Sequence, residues 1–221
     1  MTKTKVVVCV RSDFERHHWW HPALGAWLLS LMAETTYKMF VELITGAGGY
    51  AASANVAAIT FMDPIYDDAE WFCMVDNDTA PPMNILRMLD DVPDYVDVLA
   101  PLCFMARDYT SLPMAGNFIP TIEDGKTVYK FEHIDLAGKP TIYEVDRCGG
   151  GFWFVRRKVF LAMQKPYFKV LYDGDTQYMT VSDDVYFQMR AKELGFRVFC
   201  DTRFVASHYH TTDLSVSVHH V

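Results

Sequence analysis

The 221-residue chain has no Cys-x-x-Cys pair, and its five cysteines, Cys9, Cys73, Cys103, Cys148 and Cys200, are odd in number and far apart. That excludes a zinc ribbon or a disulfide frame and leaves reduced thiols sitting mostly in apolar, strand-like runs, as in a cytosolic protein. No window reaches the ~18 uncharged apolar residues of a membrane span. The N-terminus enters an apolar run at once, without the long apolar region or cleavage pattern of a secretory leader. The expectation is therefore a cytoplasmic protein without a membrane span. Positive charge is also short: 20 Lys and Arg against 28 Asp and Glu give a formal charge of −8. This argues against a broad footprint on nucleic acid while leaving a local basic patch open. Internal repeats and low-complexity tracts are absent too. What is present is a 51% hydrophobic, 14% aromatic composition, enough for a large core, and a length that fits one domain over residues 1–221.

Apolar patterning alternates between strand and helix through the first half of the chain. Residues 5–10 and 39–45 read as strands, residues 22–34 as a helix with Leu24, Trp27, Leu28 and Leu31 on one face, and residues 51–62 as a helix entered from a glycine loop. An apolar strand from Trp71 ends in Asp76-Asn77-Asp78, Pro81-Pro82 opens a helix running to Leu89, and residues 97–102 form another strand. This alternation predicts an α/β fold with a mostly parallel, doubly wound sheet covered by helices on both faces. Ligands of such sheets bind beyond the carboxyl ends of the strands. Residues 104–125, rich in Pro, Gly and polar side chains, read as a long loop, with short strands expected at 128–133 and 141–145.

Several motifs carry chemistry, and each has a bland reading beside the sharp one. In an extended chain alternate side chains share a face, so Asp76 and Asp78 leave the strand end as a two-pronged acidic fork suited to a hard divalent cation; a polar strand-to-helix turn has the same composition. Gly46-Ala-Gly-Gly-Tyr-Ala51 matches the dinucleotide fingerprint GxGxxA. It follows the second strand rather than the first, however, and no acidic residue ends a strand about 20 residues later. Gly149, Gly150 and Gly151 lead into an aromatic strand and either let a ligand approach the backbone or simply form a bulge. Asp183 and Asp184 follow Ser182 at the start of a helix that stops at Gly195, so they are either dipole-favoured capping residues or a carboxylate base aimed at a cleft. His208, after the next strand, is a structural histidine or a third ligand to a manganese-class ion.

Taken in order, the acidic fork, the glycine-led strand, the acidic pair opening a helix that ends in glycine, and the late histidine resemble the GT-A fold glycosyltransferases, especially those of family 2. The resemblance runs from Lys5 to about His210 and is most specific over Ser182 to His208. It implies a mostly parallel central sheet with a small antiparallel extension. Asp76 and Asp78 then stand where the family holds the ribose and the metal of a nucleotide sugar, with Asp78 the direct ligand and His208 completing the site around Mn²⁺ or Mg²⁺. Gly149, Gly150 and Gly151 match the loop lining the donor sugar and acceptor cleft, and Asp184, with Asp183 orienting it or contacting the acceptor, matches the base of inverting members. The family's Ala-Arg-Asn stretch is reduced here to small residues and Asn55, so Arg11 at the end of the first strand becomes the candidate nucleotide contact beside Asn55.

The implied activity is metal-dependent transfer of a sugar from a nucleotide-diphosphate donor, UDP-linked by preference, to an acceptor hydroxyl on a glycan, a protein or another compound. Trp153, with Tyr172, Tyr178 and the 104–125 segment, offers aromatic faces for that acceptor. Two other functions compete. A sugar-1-phosphate nucleotidyltransferase uses a related sheet and a metal, but is expected to carry a glycine-rich basic loop after the first strand, where residues 11–18 have no glycine. A non-catalytic glycan-binding module of the same fold would not need Asp76, Asp78, Asp184 and His208 together.

Overall fold

The computed structural model describes residues 4–12, 22–44, 48–107, 110–138, 141–175 and 178–208. The elements run β1 (Lys5–Arg11), α1 (Pro22–Leu31), β2 (Lys38–Ile44), α2 (Tyr50–Phe61), β3 (Trp71–Asp76), β4 (Thr79–Ala80) and β5 (Val98–Leu102). Two hairpins follow, β6 (Phe104–Arg107) with β7 (Thr110–Pro113) and β8 (Gly116–Glu123) with β9 (Lys126–His133). Then come β10 (Ile142–Val145), β11 (Phe152–Arg156), α3 (Arg157–Ala162), β12 (Leu171–Tyr172), β13 (Met179–Val181), α4 (Asp183–Glu193), β14 (Val198–Val205) and β15 (Ser207–His208).

Seven strands form the central sheet in the order β10-β14-β5-β11-β3-β1-β2. β1 is parallel to both β2 and β3, and β5 is parallel to β14, whereas β11 is antiparallel to β3 and β5 and β10 is antiparallel to β14. The sheet is thus mostly parallel, with small antiparallel pairs around it, and the predicted α/β class holds. The reversed strand β11 has a functional consequence. Because it runs against its neighbours, its N-terminal approach, Gly149 to Gly151, arrives at the carboxyl ends of β3 and β5.

Both sheet faces are covered, as period-two alternation requires. Val7 and Cys9 of β1, Phe72 and Met74 of β3 and Trp153 of β11 pack with Ala54, Ala57 and Ala58 of α2, Phe160 of α3 and Phe187 of α4. The alternate residues Val6, Val8, Val10, Cys73, Val75 and Phe152 pack with Leu24 and Trp27 of α1 on the other face. The small side chains of α2 let that helix lie close on β1. All five cysteines are free and buried, spread over both faces. Among the described residues no helix is long and apolar enough to cross a membrane.

Two expectations need correction. Residues 104–125 are not a loop: they hold β6, β7 and β8. Proline and glycine obscured those strands because β8 and β9 are mostly solvent-exposed and carry no clean apolar alternation. The segment after Pro81-Pro82 is not an α-helix either, since only Ile85–Leu89 closes, as a 3₁₀ helix. Pro81 and Pro82 lie ahead of this turn, whose N-cap is Asn84, and so do not occupy its first turn.

Candidate active site

Arg11 ends β1 and Asp76 ends the neighbouring β3, facing it in register. Both are almost fully buried, at 3% and 7% exposure. The Arg11 guanidinium donates from Nε to Asp76 Oδ1, from Nη2 to Asp76 Oδ2 at 3.3 Å, and from Nη1 to Asp183 Oδ2 at 2.8 Å and to the Tyr50 carbonyl at 3.0 Å. Its carbon lies 5.3 Å from the Tyr50 ring centroid. One buried cation therefore ties the end of β3, the start of α2 and the start of α4 together. It belongs to the site predicted from sequence, but it faces inward: its donors go to protein carboxylates rather than outward to a nucleotide.

Burial pushes the Asp76 carboxyl up from the ordinary value near 3.8 to about 6. Arg11 opposes this by favouring the anion, while the nearby charges of Asp78 and Asp183 add to the upward push. The described side chains here bring three buried carboxylates, Asp76, Asp78 and Asp183, against one buried guanidinium. An excess of buried negative charge is costly unless a cation is supplied. Two buried hydroxyls at the same end of the sheet, Ser12 Oγ and Thr79 Oγ1, find no hydrogen-bond partner among the described residues. Three buried carboxylates gathered beside two orphaned hydroxyls suit a polar, cation-bearing ligand.

The glycine approach to β11 joins this fork to α4. The Asp76 amide donates to the Gly151 carbonyl at 2.8 Å. A Cβ on Gly151 would meet Thr79 Oγ1 at 2.6 Å, and one on Gly150 would meet Asp184 Cβ at 2.5 Å and Oδ2 at 2.9 Å. A Cβ on Gly149 would stand 3.2 Å from Met114 Cβ, a tight but milder approach. Asp184 is half-buried, and its Oδ1 accepts from Ser182 Oγ, so Ser182 turns its hydroxyl to the carboxylate instead of capping the helix backbone. Gly195, at φ +87°, takes the left-handed conformation that ends this helix, as its position predicts.

Gln188, fully buried one turn along α4 from Asp184, was not singled out from sequence. Its amide donates to the Cys148 carbonyl at 2.9 Å and accepts from the Cys148 amide at 2.7 Å, which fixes the glycine segment to the helix. A polar residue on the apolar face of α4 was the available signal.

His208 lies in β15, whose backbone pairs with β4 so that His208 stands opposite Thr79, immediately after the acidic fork. The His208 side chain is outside the described residues. Among the described residues no group of three or more His, Cys, Asp or Glu is arranged to hold a metal ion. Asn55 is not drawn into the cluster: its amide donates to Phe168 O at 2.7 Å and its oxygen accepts from Phe168 N at 3.1 Å. The acceptor role expected of Trp153 is overturned by burial. At 0% exposure, packed against Phe168 and Phe187, it belongs to the core, because a central strand covered on both faces sends its aromatics inward on each side. Tyr172 and Tyr178 are exposed. The GxGxxA segment places Gly49 at the N-cap of α2 and delivers Tyr50 to Arg11.

No protein-family model matches the sequence, and no curated protein does. Solved structures do match. The chain is similar to A197 from STIV, with 14% identity over 94% of this chain and 86% of that one, at a TM-score of 0.59. It is similar to GalNAc-T7, solved with UDP, GalNAc and Mn²⁺, at 13% identity and a TM-score of 0.56. That match covers 94% of this chain and 44% of GalNAc-T7, less than half its length. A UDP-glucose pyrophosphorylase complexed with UDP-glucose matches at 8% identity over 94% of this chain and 93% of that one, with a TM-score of 0.51. Likeness at such identities is likeness of fold, and the fold is GT-A, that of nucleotide-sugar glycosyltransferases and nucleotidyltransferases.

Proposed function

We propose that the protein is a metal-dependent glycosyltransferase that moves a sugar from a nucleotide-diphosphate donor, UDP-linked by preference, to an acceptor hydroxyl with inversion. The observation that carries this reading is the meeting of three segments: the fork at Asp76 and Asp78, the glycines 149–151, and the acidic start of α4. They share one end of the sheet, where ligands of such folds bind.

Asp78 and His208 would hold the cation, with Asp76 contributing to it and to the ribose. The chemistry of the set fits a hard divalent ion, because buried carboxylates outnumber the buried guanidinium there. Bound Mn²⁺ or Mg²⁺ supplies Lewis-acid stabilisation of the charge developing on the leaving diphosphate. Arg11 holds Asp76 and Asp183 in position. Glycines 150 and 151 let Asp184 and Thr79 close on the approach to β11, which sets the distance of the fork from the candidate base. Asp184 accepts the acceptor's proton as general base, with Ser182 fixing its orientation. The new bond joins the acceptor oxygen to the anomeric carbon as the bond to the diphosphate breaks on the opposite side.

The test is a donor screen: hydrolysis of nucleotide sugars with Mn²⁺, and the thermal shift given by UDP with Mn²⁺, for the native chain and for Asp78→Ala. We expect one donor to be hydrolysed and both signals to be lost in the variant. Unchanged turnover in Asp78→Ala would sink the metal assignment. Release of pyrophosphate from UTP and a sugar-1-phosphate would favour the nucleotidyltransferase reading instead.

A further inference from the structure

Beside the acidic start of α4 lies a cavity of about 560 Å³, the size of a small-molecule site. Its walls come from the β8–β9 hairpin through Phe118 and Tyr129, from β13 through Met179, and from α4 through Val185 and Met189. Three of these are large apolar side chains left facing solvent: Tyr129 at 68% exposure, Met179 at 59% and Met189 at 42%. Clustered exposed apolar surface marks a binding place rather than ordinary surface, and the flexible thioethers suit a flat partner.

The polar lining is sparse, and its one cation is Arg147. Reciprocal backbone hydrogen bonds with Gly116, at 3.0 and 3.1 Å, fix Arg147 in place, and its guanidinium lies 5.4 Å from the Phe131 ring centroid. Among the described residues Arg147 makes no ion pair. The adjacent Asp146 is committed to Lys192 and, at 2.8 Å, to the Phe118 amide. Ser182 also lines the cavity, and its hydroxyl is bonded to Asp184. The space therefore runs from an unneutralised guanidinium, along apolar walls, to within one hydrogen bond of the candidate base.

We propose that this cavity binds a small aromatic hydroxy acid, with its ring between the hairpin and Met189, its anionic group on Arg147 and its hydroxyl towards Ser182 and Asp184. A saccharide would need many more hydrogen-bonding groups than this lining offers. That the bound hydroxyl is the sugar acceptor rests on the transferase reading above; the class of ligand does not.

The test is isothermal titration of the full chain with three probes: 4-hydroxybenzoate, neutral 4-hydroxybenzyl alcohol and methyl β-glucoside. The native protein should prefer the benzoate, and Arg147→Gln should weaken its binding about tenfold while changing the neutral alcohol less than about twofold. Met189→Glu, at an exposed position that leaves the core intact, should weaken both aromatic probes, with circular dichroism checking the fold. Equal effects of Arg147→Gln on charged and neutral probes, tighter binding of the glucoside, or no benzoate binding at about 10 mM would overturn the proposal. Titration of UDP with Mn²⁺ is run separately on the native protein. Its failure beside Arg147-dependent benzoate binding would refute the transferase reading and leave the ligand class standing.

Discussion

Replacing Arg11 with Met should destabilise the protein strongly, and more so at high pH. Arg11, Asp76 and Asp183 are at most 7% exposed, so the substitution leaves carboxylates buried without their cation. Breaking a buried pair from one side costs about 3–5 kcal/mol, equivalent to a fall of about 6–20 °C in Tm for a chain of this length. The pH dependence follows from Asp76. In the native protein its pKa is raised by burial from 3.8 to about 6, so between those values the folded state holds a proton that the unfolded state has released. Stability therefore falls as pH rises through that window, by on the order of 3 kcal/mol. Without Arg11 the opposing influence is gone, and Asp76 stays protonated to higher pH. The deficit relative to native should thus be smaller near pH 5 and widen as pH rises above about 6. Thermal denaturation of both proteins at pH 5 and pH 8, without added metal, measures it. A Tm within about 2 °C of native at pH 8, or the same deficit at both pH values, would refute the argument that Arg11 acts by neutralising buried carboxylates.

Gly150→Ala places a methyl 2.5 Å from Asp184 Cβ, an atom that moves only with the helix start. We expect a loss of about 1–3 kcal/mol in stability and about 100-fold in transfer, with donor binding by calorimetry retained. In Gln188→Leu, both backbone groups of Cys148 lose their partners. Amide exchange at Cys148 should accelerate, with a stability cost of about 1–3 kcal/mol for each orphaned group; native protection there would show that Gln188 does not hold the segment. Trp153→Ala should cost about 3–5 kcal/mol by denaturant titration and leave the acceptor KM of the folded fraction unchanged, because the indole is wholly buried. A raised KM at native stability would return Trp153 to the acceptor side.

The parallel part of the sheet was legible because each of β1, β3 and β5 is an apolar run bounded by turn residues and separated by helical patterning. The hairpins were not, since strands with little buried face leave no alternation to read, and β8 carries Pro120 within it. Asp76, Asp78, Asp183 and Asp184 stood out as carboxylates at element ends. The coupling of Asp76 to Asp183 did not, because it passes through the Arg11 side chain, which joins positions 65 and 172 residues away along the chain. Trp153 was misread for the converse reason: an aromatic on a strand has the same composition whether it faces a ligand or a second layer of helices, and only the layers decide.

The three glycines gain their meaning from the direction of β11. Had that strand run parallel to its neighbours, residues 149–151 would lie at the opposite end of the sheet from Asp76. Reversed, it carries them between two acidic segments, and the space there is already used. Gly151 stands against Thr79 on the side of the fork, and Gly150 against Asp184 on the side of α4, each too close for a Cβ. The absence of two side chains therefore sets the separation between the fork and the candidate base. A larger residue at Gly150 would meet the Asp184 carboxyl group, and one at Gly151 would meet Thr79 beside the fork, so either would move the two acidic segments apart. A glycine triplet that composition alone assigns equally well to a bulge is in this fold a spacer, and the geometry of the whole cleft depends on its staying bare.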